Sequence, residues 1–214
     1  MEPRPYFRGK LHLLGALVSL FTCPYICLNT KKQIEFIFVC FFTFTIISQQ
    51  FTSAVYHMLD WTIEKKQFMR RLDHSMIFLN IAGSHCAIAA VSLNGTTRIT
   101  FLIIQLVGGL IGVCFRLFWF NTPRWIQLTT YLTVGWSPML YNDSLCIGMG
   151  PVSFAHYIYC GIAFGIGGLV YVIKWPNPWP KIFGFHEIFH ACSLIGVAYH
   201  QLAVLGTLKR FPNH

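Results

Sequence analysis

From residue 11 to residue 206 the chain alternates between long apolar runs and short polar clusters. Seven runs stand out, at 11–28, 34–59, 72–92, 99–120, 125–145, 153–173 and 184–206. Each is near the ~20 residues that an α-helix needs to cross the hydrocarbon core of a bilayer. Turn and interface signals fill the gaps at 29–32, 60–71, 94–98, 121–124, 148–151 and 175–180. The last gap reads W-P-N-P-W-P. Its alternating prolines each restrict the preceding residue and exclude a helix, so it reads as a stiff connector with Trp rings at headgroup level. The pattern predicts an all-α integral membrane protein, a seven-transmembrane-helix bundle in which residues 1–214 form a single membrane domain. Arg4, Arg8 and Lys10 precede the first run as they would in a secretory signal. No small-residue cleavage site follows, however, and 18 apolar residues is long for that role, so the run reads as a retained span.

Composition sharpens this picture. Of 214 residues, 55% are hydrophobic and 11% charged, and mean hydropathy is +0.55. Soluble domains carry about a quarter of their residues as charges, so a single soluble core and a disordered chain are both excluded. The net charge of +9 resembles that of a nucleic-acid binder, but the basic residues fall between apolar runs, where they set topology. With seven spans, one face collects Arg4, Arg8, Lys10, Lys65, Lys66, Arg70, Arg71, Arg116, Arg124, Lys174 and Lys181. The other collects Lys31, Lys32, Arg98, Lys209 and Arg210. Eleven against five predicts a cytoplasmic N-terminus and a C-terminus outside, in a multi-pass protein of the plasma (inner) membrane. The eight cysteines are scattered without a C-x-x-C pair and read as small buried hydrophobes.

Ionisable side chains inside apolar spans are costly and mark functional sites. The second run ends S-A-V-Y-H, with Ser53 and His57 one turn apart near the cytoplasmic face. The third begins L-D-H-S at the same face, placing Asp73 in its first turn. The seventh begins there too, with His186 and His190 at i and i+4 in H-E-I-F-H. These groups share one membrane depth. Two imidazoles at i, i+4 and a third from another helix form a three-nitrogen zinc site with a fourth position open to water. Asp73 is positioned to orient or deprotonate that water, and Ser53 to donate to a ligand or a carbonyl. H-E-x-x-H is also a metalloprotease motif with Glu187 as base. On a helix, though, Glu187 points about 100° away from His186, so an interfacial or supporting role fits it better. His74 reads as interfacial. His85, His156 and His200 read as helix–helix hydrogen bonds or polar groups in a cavity. Gly108, Gly109, Gly112, Gly161, Gly165 and Gly168 read as close helix packing.

At these residues the chain resembles the hemolysin III family of the progestin and adipoQ receptor (PAQR) superfamily. The matching segments are S-A-V-Y-H (53–57), L-D-H-S-M-I-F-L-N-I-A-G (72–83), N-P-W-P (177–180), G-F-H-E-I-F-H (184–190) and A-Y-H-Q-L-A-V (198–204). The resemblance implies a seven-helix bundle with its N-terminus inside. It implies zinc held by His57, His186 and His190, with Asp73 contacting the zinc-bound water and Ser53 as the motif serine. It further implies a link to hydrolysis of ceramide-like lipid amides. After I-A-G the family usually continues with Thr and Pro; here 84–90 reads S-H-C-A-I-A-A, which predicts a straighter third helix and an altered cavity.

Three functions of different class stand open on the sequence. The leading one is a zinc-dependent hydrolase of a lipid amide or ester, with a membrane lipid as substrate. The second is a pore-forming, cytolytic protein, and the third a receptor or membrane-homeostasis protein with structural zinc. An intramembrane protease is a minor fourth.

Overall fold

The computed structural model describes residues 5–119 and 122–210; Arg4 and Asn121 of the sequence reading lie outside them. The helices are α1 (Lys10–Leu28), α2 (Gln33–Met58), α3 (Ile63–Ser92), α4 (Gly95–Phe118), α5 (Arg124–Trp136), α6 (Asn142–Met149), α7 (Pro151–Ile173) and α8 (Phe185–Arg210), with a 3-10 turn at Ser137–Tyr141. No strand forms among the described residues. Six helices (α1–α4, α7 and α8) are long and apolar enough to cross a membrane. The protein is therefore a multi-pass membrane protein.

The fifth run is not one helix. At 125–145 a continuous span was expected, and the structure breaks it into α5, the 3-10 turn and α6. Pro138 explains the break. The Val134 carbonyl would ordinarily accept from the N–H of residue 138, which proline lacks. Ser137 takes over instead, its hydroxyl donating to the Val134 carbonyl at 2.8 Å. The broken run still crosses the bundle. It starts where Arg124 lies over Tyr171 and ends where Gly148 meets the Ser92 carbonyl and Arg210 reaches the Ile147 carbonyl.

Two connections are also shorter than the polar pattern implied. Residues 60–71 were expected as a connection, yet α3 already begins at Ile63, nine residues before the expected span. The Thr62 side chain accepts from the Lys65 N–H and Glu64 sits in the first turn, both favouring a helix start. The E-K-K-Q-F-M-R-R stretch is made of good helix formers, so charge did not signal a loop. Asp73 consequently lies about three turns inside α3 rather than in its first turn. Likewise 94–98 is not a turn, since α4 starts at Gly95, and only Leu93 and Asn94 separate it from α3.

Helix α3 is the axis. In its most apolar 18-residue window 72% of positions are buried, against 22–33% in the other five long helices. It packs on α2, α4 and α8, while α1 bridges α2 and α8, and α7 lies along α8. The run 84–90 stays helical within it. Small residues seat α4: Gly109 touches Ala82 and Gly112 the ring of Phe78. Gly161 meets Trp136 and Gly168 meets Leu128, whereas Gly165 faces open space. Fully buried Phe42, Ile46, Cys86, Ile88, Phe101 and Leu145 fill the half of the bundle nearer the C-terminus of α8. Outward positions such as Phe21 and Leu140 are more than three-quarters exposed, as lipid-facing side chains are.

Candidate metal centre

The start of α8 is held by three polar groups. Asn177, from the proline-rich connector, accepts from the Phe185 N–H through Oδ1 at 3.2 Å. Glu187 turns back to accept from the Gly184 N–H through Oε2 at 2.9 Å, an N3-to-N-cap contact of the capping-box kind. Its Oε1 accepts from Arg8 Nε in an ion pair, and the carboxylate is fully buried. Both oxygens are thus engaged in fixing the first turn of α8 and the segment before α1. That turn carries His186 and, one turn later, His190.

His57 comes to meet them from the last turn of α2, where unpaired backbone carbonyls give a partial negative charge that favours a cation. The ring nitrogens of His57, His186 and His190 all lie within 4.8 Å of one another. The Nε2 atoms of His57 and His186 are 3.2 Å apart. Tetrahedral zinc with Zn–N bonds of about 2.05 Å places its nitrogens about 3.3 Å apart, so this pair already has the spacing, and His190 stands close enough to complete the set. His190 is buried and its Nδ1 has no hydrogen-bond partner among the described residues. The donor set fits one divalent cation.

Two further predicted groups stand beside the imidazoles. Asp73 Oδ2 is 3.9 Å from His57 Nε2 and the side chain is buried. The Ser53 hydroxyl is within hydrogen-bonding reach of the Asp73 carboxylate, where a ligand or a carbonyl had been expected as its partner. All five residues line one cavity of about 50 Å³, space for roughly three waters. Through Ile77, Leu128, Tyr131, Gly168 and Phe189 this cavity adjoins a second of about 140 Å³ between α3, α5, α7 and α8. Ile81, Leu132, Trp136, Ile158 and Phe164 make the second one largely apolar.

His12 is the residue that sequence reasoning missed. Its ring lies 4.0 Å from that of His190, centroid to centroid, and it is 2% exposed. Ser193 donates to the His190 carbonyl at 2.8 Å, so its oxygen accepts from His12 Nε2 at 3.2 Å. His12 therefore buttresses His190 from α1. A histidine two residues into an apolar run was the available signal.

Of the remaining histidines, His74 lines the cavity of the cluster, while His85 and His200 line the larger one. His74, read from the sequence as interfacial, is half-buried and accepts through Nδ1 from Arg116 Nη2 at 2.6 Å. His85 bonds Gln105 across α3 and α4 at 2.8 Å. His200 lines the larger cavity against Phe42, with no hydrogen bond from either ring nitrogen among the described residues.

A protein-family model described as "Haemolysin-III related" matches residues 2–201. The chain is 26% identical over 206 residues to a protein named hemolysin-3 homolog from Bacillus subtilis (strain 168), covering 94% of this chain and 92% of that one. It is 26% identical over 199 residues to hemolysin-3 from Bacillus cereus, covering 91% and 87%.

Proposed function

The chain belongs to the Haemolysin-III-related family, and we propose that this member is a membrane-embedded zinc hydrolase of a lipid amide or ester. The observation that carries the reading is the convergence of three imidazole nitrogens from α2 and α8 at the base of a cavity that leads into an apolar one. His57, His186 and His190 hold the ion. When bound, zinc supplies a Lewis acid that polarises a carbonyl and makes water nucleophilic near neutral pH.

The chain's own residues supply the rest. Ile81, Leu132 and Phe164 of the larger cavity hold an acyl chain, which brings its carbonyl to the imidazole end. Asp73 accepts a proton from the attacking water and returns it to the leaving nitrogen or oxygen as the C–N or C–O bond breaks, giving a carboxylic acid and an amine or alcohol. Ser53 orients the Asp73 carboxylate. Glu187 is no base here, because Arg8 and the Gly184 N–H occupy both its oxygens, which argues against the protease reading. The relatives are named hemolysins, but a pore through this chain meets the buried apolar core at the far half of the bundle.

The test joins elemental analysis to a lipid panel. Purified protein carries about one zinc per chain and His190→Ala loses it. Among ceramides, acylglycerols and phospholipids at least one is hydrolysed, and Asp73→Ala reduces turnover roughly 10²–10⁴-fold while keeping its zinc. Zinc-loaded protein without turnover on any lipid class would remove the hydrolase reading in favour of structural zinc.

A further inference from the structure

The metal-site cavity has a second wall, and it is cationic. Arg124 lines it, with its guanidinium 4.9 Å from the ring centre of Tyr171. Its Nη1 is buried with no hydrogen-bond partner among the described residues. His74 lines the same cavity and is backed by Arg116. Arg116 is 1% exposed, and its Nε and Nη1 also lack partners among the described residues. Because a guanidinium is always protonated, His74 Nδ1 is the acceptor, and its ring proton sits on Nε2 as a donor.

Among the described residues, no carboxylate answers these charges. Glu187 is engaged by Arg8, Asp73 stands against His57 and Ser53, and Glu35 pairs with Lys32 at the opposite end. Asp143 is also at that opposite end, on α6, and Asp60 and Glu64 are exposed at the start of α3. A buried guanidinium left unpaired is costly, and the natural remedy is an anion from outside the chain. Arginine's planar fork matches the oxygens of phosphate better than any neutral headgroup.

We infer that Arg124 and His74, the latter backed by Arg116, form an oxyanion site beside the metal centre, which takes the phosphate headgroup of an acyl lipid. The headgroup sits at the cationic wall and the chain enters the adjoining apolar cavity through the shared lining at Leu128, Tyr131 and Phe189. The inference rests on the lipid reading above and narrows it to phosphate-bearing lipids. Its binding step, however, needs neither the metal nor turnover.

Calorimetric titration in neutral detergent tests it with three probes: dioctanoyl phosphatidic acid, dioctanoylglycerol (the same chains without phosphate) and inorganic phosphate. Each is run on the wild-type protein, on the wild-type protein stripped of metal by a chelator, and on Arg124→Gln. The phosphorylated lipid binds the wild type with and without metal alike, and Arg124→Gln weakens it roughly ten- to a hundredfold. Arg124 is half-buried, so this variant is less exposed to folding failure than Arg116→Gln, and zinc content reports its integrity. The neutral lipid binds more weakly than its phosphorylated partner by a similar factor. Equal affinity for the two lipids, or an Arg124→Gln protein that binds as wild type, overturns the site. Inorganic phosphate bound as tightly as the lipid, with the same dependence on Arg124, supports the oxyanion site and overturns the lipid as its source. A protein that hydrolyses nothing would leave all of these affinities unchanged, so the two readings fail separately.

Discussion

At residue scale, Glu187 shows how one carboxylate in a familiar motif acquires its role from neighbours far away in sequence. Arg8 comes from the segment before α1 and Gly184 from the connector before α8. Replacing Glu187 by Gln leaves Arg8 facing a neutral amide. Breaking a buried pair costs about 3–5 kcal/mol, and with the Arg8 side chain a quarter exposed we expect about 2–3 kcal/mol. Thermal unfolding in detergent should show this loss for Glu187→Gln and for Arg8→Gln. The double variant should lose less than the sum, since the two residues share one interaction. Unchanged stability with abolished turnover would instead assign Glu187 to the chemistry. The i, i+4 histidines of α8 and the serine–histidine turn of α2 were legible because each is a local spacing. His12 and the Arg116–His74 contact were not, because they exist only once α1 meets α8 and α4 meets α3.

At the scale of elements, apolar length found six helices, five of them to within about four residues at each end, because lipid exposure demands long uninterrupted apolar runs. It failed where one residue decides. Pro138 removes a single N–H and divides the fifth run, although the surrounding hydropathy is continuous. It failed again at 60–71, where charged residues that favour helix extend α3 beyond the apolar segment. The central position of α3 makes its contacts exacting. A Cβ on Gly112 would overlap the ring of Phe78, which is 1% exposed and has no room to withdraw. Gly112→Val should therefore cost about 1–3 kcal/mol of stability. Gly165→Val, which faces open space, serves as the control and should cost much less. Equal melting temperatures for the two variants would show that α4 does not seat against α3 as described.

Across the whole molecule, the crossings place the N-terminal segment by the imidazoles and the end of α8 by α6. The eleven-to-five distribution of basic residues predicts that the imidazole end faces the cytoplasm. Cysteines introduced at exposed Lys65 and Lys209 into a cysteine-free background report on this through a membrane-impermeant maleimide. Label at 209 and protection at 65 in intact cells is the expected result, and the reverse pattern inverts the topology. With that orientation, α2, α3 and α8 all bring their polar residues to the inner leaflet, which is why a site assembled from residues 53 to 190 forms at one depth.

The central claim is that His57, His186 and His190 share one cation. X-ray absorption at the zinc edge of the purified protein tests it most directly. The arrangement predicts about three imidazole nitrogens at roughly 2.0–2.1 Å with lighter oxygen scattering completing the shell, and no sulfur. His57→Ala, His186→Ala and His190→Ala should each abolish the signal at equal protein concentration. A sulfur-coordinated spectrum, or zinc retained unchanged in all three variants, would contradict it.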